Sequence, residues 1–130
     1  MRRGWRTAGR WRLLGLALLL LAGCGRPATV PSSPPVSTLT ITLTAAGASP
    51  KDILVPLGSR VLFINNDTRS HNMTSDPHPE HNDCPDINQV GFLLPGERRE
   101  TGNLVIARVC GFHDHDSPEI LNLHGTITIK

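Results

Sequence analysis

Histidine and cysteine crowd into two short stretches of this 130-residue chain. The first reads His71-Asn-Met-Thr-Ser-Asp-Pro-His78-Pro-Glu-His81-Asn-Asp-Cys84 and the second Cys110-Gly-Phe-His113-Asp-His115, with His124 following soon after. Imidazole nitrogen and thiolate sulfur are the donors that bind copper and zinc, so these residues predict a metal site assembled from two segments distant in sequence. Asp76, Asp83, Asp114 and Asp116 stand among the histidines, either orienting rings through their second nitrogen or lying solvated in loops. Cys84 and Cys110 admit two uses. Either Cys110 is a thiolate ligand, or an oxidising compartment pairs it with Cys84 and leaves a histidine-only site. Other chemistries have no foothold: there is no Gly-x-Ser-x-Gly elbow, no glycine loop to cradle phosphate, and no basic patch interleaved with aromatics for nucleic acid.

Short strands have to position these donors. Thr38–Thr44 alternates hydroxyl and aliphatic residues with period two, which predicts a half-buried strand. Ile53–Val55, Arg60–Ile64, Leu104–Val109 and Gly125–Lys130 are further β-branched or aliphatic runs. Pro50, Pro56-Leu-Gly58, Asn65-Asn-Asp67, Pro95-Gly96, Gly102-Asn103 and Ser117-Pro118 punctuate turns between them. No helical periodicity stands out, and the pattern predicts an antiparallel β-sandwich. About 93 residues, from 38 to 130, form this domain; a core that small gains from a crosslink.

The first 37 residues read differently. Arg2, Arg3, Arg6, Arg10 and Arg12 precede the apolar run Leu13–Ala22, which is about as long as a signal-peptide core and well short of the ~20 residues that span a bilayer. Leu21-Ala22-Gly23-Cys24 resembles the bacterial lipobox, which implies a signal peptide over residues 1–23 and a lipidated Cys24. Residues 24–37, rich in Pro and Ser, read as a tether. The formal charge of +2 therefore belongs to the precursor: from Cys24 onward eight Lys and Arg face eleven Asp and Glu, a net charge of about −3. The expected setting is a bacterial membrane, with the domain facing the periplasm or the outside.

The order of motifs in the domain resembles the cupredoxins. Pro50-Lys-Asp-Ile-Leu-Val-Pro-Leu-Gly58-Ser-Arg-Val-Leu-Phe-Ile-Asn65-Asn-Asp67 is followed by His71-Asn72, then by Leu94-Pro-Gly96, Cys110-Gly-Phe-His113 and His124-Gly125-Thr-Ile-Thr-Ile129. The resemblance covers nearly the whole domain. It implies an all-β, Greek-key, cupredoxin-like sandwich that binds copper and carries one electron for a redox partner. Carried over by position, His71, Cys110 and His113 would be the equatorial ligands, with His115 at hand, and Asn72 would brace the ligand loops. The family's axial methionine usually stands two residues before the glycine of the last strand, where this chain has Leu123. That leaves the axial place empty, or to His124 or a backbone oxygen. Met73, two residues from His71, falls on the core side by strand alternation.

Pairing Cys84 with Cys110 leads to the alternative reading. The copper would then sit on His71 with some of His78, His81, His113 and His115, a set suited to Cu(II) storage or delivery to an acceptor protein. Gly111-Phe-His113-Asp-His115 also resembles the Gly-Phe-His-x-His stretch of copper-zinc superoxide dismutases, but that family places it early and its zinc loop afterwards. The expectation is thus a monomeric, non-enzymatic copper protein, anchored by lipid and without nucleic-acid partners.

Overall fold

A computed structural model describes residues 39–130. The signal, Cys24 and the tether lie outside the described residues. Among the described residues nine strands follow in order: β1 (Thr40–Thr44), β2 (Gly47–Ser49), β3 (Asp52–Val55), β4 (Leu62–Asn65), β5 (His71–Ser75), β6 (Gly91–Leu93), β7 (Arg98–Glu100), β8 (Arg108–Asp114) and β9 (Gly125–Ile129). They make a four-stranded sheet in the order β2-β1-β4-β7 and a five-stranded sheet in the order β3-β9-β8-β5-β6. Two short 3-10 turns, Pro85–Gln89 and Leu121–Leu123, lie between strands. This is the all-β sandwich that the turn spacing predicts. Its sheets are mixed rather than purely antiparallel, because β1 pairs with β4, and β3 with β9, in parallel.

Period-two alternation builds the core. In β1, Ile41 and Leu43 are buried while Thr40, Thr42 and Thr44 are half-buried. Phe63 of the neighbouring β4 and, from the facing sheet, Met73, Phe112 and Ile127 join them, and Phe63 meets Phe112 edge to face with ring centroids 5.3 Å apart. Such a pair adds about 0.5–1.5 kcal/mol beyond the area it buries. Met73 is fully buried, as its alternation predicts. Cys84 and Cys110 form a disulfide, Cα to Cα 5.8 Å, that ties the Pro85–Gln89 turn to β8 inside this core.

Two expectations about strands need correction. Leu104–Val109 reads as one strand, yet the ladder begins only at Arg108; Leu104 makes an isolated bridge to Ser59, and Val105 and Ile106 lie exposed. An apolar run without a neighbouring strand has nothing to pair with. Conversely, His71–Ser75 carries no β-branched run and is nonetheless a central strand, because β6 and β8 flank it on both sides. Strand β7, with the sequence Arg-Arg-Glu, is the exposed edge of the four-stranded sheet.

Candidate metal centre

The chemistry is distributed by the pleat of β5 and β8. Successive side chains on a strand point to opposite faces. On β8, Cys110, Phe112 and Asp114 are buried toward the opposing sheet, so Gly111, His113 and His115 belong to the other face. On β5 the buried series is His71, Met73 and Ser75, which puts Asn72, Thr74 and Asp76 with the outer set. Thr74 pairs directly with His113 in the antiparallel ladder, and the His115 amide donates to the Asn72 carbonyl at 2.7 Å.

The segment 77–84 completes the site by folding over that outer face. The His81 amide donates to the Pro77 carbonyl and the Asp83 amide to the Asp76 carbonyl, while the Asn88 side chain donates to the His81 carbonyl at 2.8 Å. His81 itself has φ 51°, a left-handed conformation uncommon for a residue with a Cβ. The Cys84 amide bonds to the Ser75 hydroxyl and its sulfur to Cys110, fixing the far end of the segment to β5 and β8.

His78, His81, His113 and His115 converge as a result. One nitrogen from each lies within 4.8 Å of the others, and the His81 and His115 rings approach to 3.2 Å between Nε2 and Nδ1. Four nitrogens bound to one ion at about 2 Å would sit roughly 3–4 Å apart, so small side-chain movements bring this group to a coordination sphere. His113 is buried beneath the loop, His81 and His115 are half-buried, and His78 is exposed. Burial first, then the neighbouring rings of His115, His113 and His78, hold His81 below the usual histidine range. A neutral ring is the form that offers a lone pair to a metal.

His124 borders the group without joining it. It lies 5.6 Å from His113 between ring centroids, and its Nε2 faces the Pro118 carbonyl at 2.9 Å. Leu123, at the position of the family's axial methionine, is buried in the core.

His71 and Cys110 are not brought to the group. The Cys110 sulfur is bonded to Cys84, and a thiol consumed in that way is no thiolate ligand. His71 lies on the inner face with its Nδ1 2.8 Å from Asp114 Oδ2 and its Nε2 3.1 Å from Asp67 Oδ2. Both ring nitrogens thus face carboxylate oxygens, and neither is open to a metal ion. Burial raises the Asp67 carboxyl, but the Thr68 amide, His71 and Arg69 outweigh it and hold the group below the usual carboxylate range. Asn72 braces the end of β8: its amide donates to Asp114 Oδ1 at 2.9 Å and its side chain to Asp116 at 3.3 Å.

Two contributors escaped sequence reasoning. Asp67 stands in a turn by sequence, and nothing there marks it as a partner of His71. Gly111 carries a usable signal, since a glycine inside a strand marks a close approach. A Cβ there would overlap the Asp76 carboxylate, which lies 2.6 Å from His113 Nδ1.

No protein-family model and no curated protein matches this chain in sequence. Solved structures do match in shape. A purple cupredoxin from Nitrosopumilus maritimus is 21% identical with a TM-score of 0.55, covering 70% of this chain and 98% of its own. Amicyanin from Paracoccus versutus is 9% identical with a TM-score of 0.59, over 74% of this chain and 84% of its own. The Cu-containing nitrite reductase of Thermus scotoductus is 19% identical with a TM-score of 0.55; the match spans 71% of this chain but 22% of that enzyme. Strand order, the two-sheet core and these likenesses agree that the described domain has the cupredoxin fold.

Proposed function

We propose that this domain binds copper through His78, His81, His113 and His115 and serves to hold Cu(II) and pass it on outside the inner membrane. The observation that carries the reading is the convergence of four imidazoles within 4.8 Å on a fold shared with copper proteins. An all-nitrogen donor set suits Cu(II), which also stands highest in affinity among the divalent first-row metals. When bound, copper would supply a one-electron couple at this face. The protein's part is to keep the His81 ring neutral, to hold His113 and His115 two residues apart on one face of β8, and to close the loop over them. Lipidation at Cys24 after removal of residues 1–23, with residues 24–37 as tether, would keep the domain at a bacterial membrane, where a donor or acceptor protein meets it.

The test uses the mature chain titrated with Cu(II). One ion should bind per molecule, with nitrogen hyperfine structure in the electron paramagnetic resonance spectrum and no intense blue thiolate band; free-thiol titration without reductant should find Cys84 and Cys110 unreactive. Absence of tight binding, or an intense blue band, would overturn the assignment. A second reading, one-electron transfer to a redox partner through the same four histidines, is favoured by the likeness to the purple cupredoxin and amicyanin folds. Reversible voltammetry with fast self-exchange would select it over storage and delivery.

A further inference from the structure

We infer that Asp76 is the positioning carboxylate of this centre, selecting which nitrogen of His113 can meet a metal ion; the inference rests on the four-histidine reading. The Asp76 Oδ1 atom is 2.6 Å from His113 Nδ1, a short charge-assisted contact. A carboxylate only accepts, so the Nδ1 atom carries the proton and Nε2 is left with the lone pair. Among the described residues the hydrogen-bond partner of that Nε2 is the Thr74 hydroxyl at 3.5 Å, the outer limit of a hydrogen bond, which leaves the nitrogen open. The tautomer and the ring plane of His113 are thereby set before any ion arrives.

The backbone is arranged to allow this contact. Asp76 directly follows β5, and its amide donates to the Gly111 carbonyl on β8 at 3.1 Å, which brings the carboxylate across the Gly111 Cα. Any side chain at Gly111 would occupy the space of that carboxylate. Gly111 has no positive φ, so the strand itself does not require glycine there. The requirement comes from the carboxylate it accommodates. Asp76 also keeps its side chain 43% exposed while His113 is 1% exposed, so the carboxylate can swing away without opening the core. A purely structural ion pair would have no need of an open second nitrogen on its histidine.

The experiment compares Cu(II) affinity, by competition with a chelator, and paramagnetic resonance spectra for the parent and for Asp76→Ala, Asp76→Asn and Gly111→Ala. Loss of a carboxylate supporting a metal-bound histidine typically lowers affinity about 10- to 100-fold, and Asp76→Ala should fall in that range with a changed spectrum and an unchanged thermal midpoint for the metal-free protein. Asp76→Asn keeps an acceptor without the charge and should fall between it and the parent. Gly111→Ala should reproduce the loss by displacing Asp76, and adding it to Asp76→Ala should cost little more, since both act through one contact. Parent-like affinity and spectrum in Asp76→Ala overturn the positioning role. Additive losses in the double variant overturn the part assigned to Gly111. If the parent fails to bind Cu(II), or His113→Ala binds as well as the parent, the four-histidine reading has failed instead.

Discussion

Two histidines on neighbouring strands, His71 of β5 and His113 of β8, each meet aspartate, and the comparison separates a structural imidazole from a candidate ligand. His71 faces the inside of the sandwich with Asp114 on one nitrogen and Asp67 on the other. His113 faces the opposite side with Asp76 on one nitrogen and three further imidazoles around it. Both rings are 1% exposed, so burial does not distinguish them. The number of carboxylates does. A second carboxylate occupies the other nitrogen and leaves the ring joining strands with no nitrogen open; a single one aims it. Asp114 and His113 are adjacent in sequence, and the pleat alone sends them to opposite sides.

The largest effect that would sharpen this contrast is on metal affinity. Replacing His81 and His113 together by alanine should weaken Cu(II) binding by more than about a hundredfold, exceeding the loss expected from a supporting residue. His71→Ala should leave binding per folded molecule within about threefold of the parent, a difference of less than ~1 kcal/mol. Equal losses in the two variants, measured by chelator competition, would erase the distinction. Stability should show the reverse order: His71→Ala strands buried Asp114 and should cost about 3–5 kcal/mol in chemical denaturation, well above the cost of His78→Ala at the exposed rim.

The disulfide comes next. Cys84 and Cys110 are 26 residues apart, and replacing both by serine should lower stability by about 3 kcal/mol on the chain-entropy model. It should also loosen the 77–84 segment, read as faster amide exchange there than in β1. The smallest effect is on pH dependence. His81 is held below the ordinary histidine value of 6.5, so the folded protein binds fewer protons than the unfolded one between its own value and 6.5. Stability of the metal-free domain should therefore rise with pH through that window and be lost as pH falls through it. His81→Gln should flatten the slope. An unchanged slope would place the titration elsewhere.

The sequence reveals the β class and the histidine segments more readily than their arrangement. Thr38–Thr44 and Gly125–Lys130 announce their strands because half-burial leaves a period-two trace, and their ladders cover residues 40–44 and 125–129. His71–Ser75 leaves no such trace, since a central strand lined by His, Met and Ser owes its form to its neighbours. Motif order placed His71 and Cys110 beside His113 by analogy. Yet Met73 stands opposite Asp114 and Ser75 opposite Phe112, so His71 and Cys110 occupy different ends of the β5–β8 ladder. Two-residue spacing puts His113 and His115 on a shared face once β8 is known to be a strand. What no spacing could supply was the loop fold that brings His78 and His81 onto it, because that depends on the Cys84–Cys110 bond and on side chains such as Asn88.

Strand β7 has a bearing on how the molecule behaves in company. Among the described residues, no strand pairs with the outer side of its Arg98-Arg99-Glu100 edge in the four-stranded sheet. An incoming strand would have to bring its own side chains alongside two guanidinium groups and a carboxylate, all of which are better solvated than stacked. The edge thus discourages fibril-like growth from one copy to the next, a useful property wherever many copies of a small β domain are crowded together.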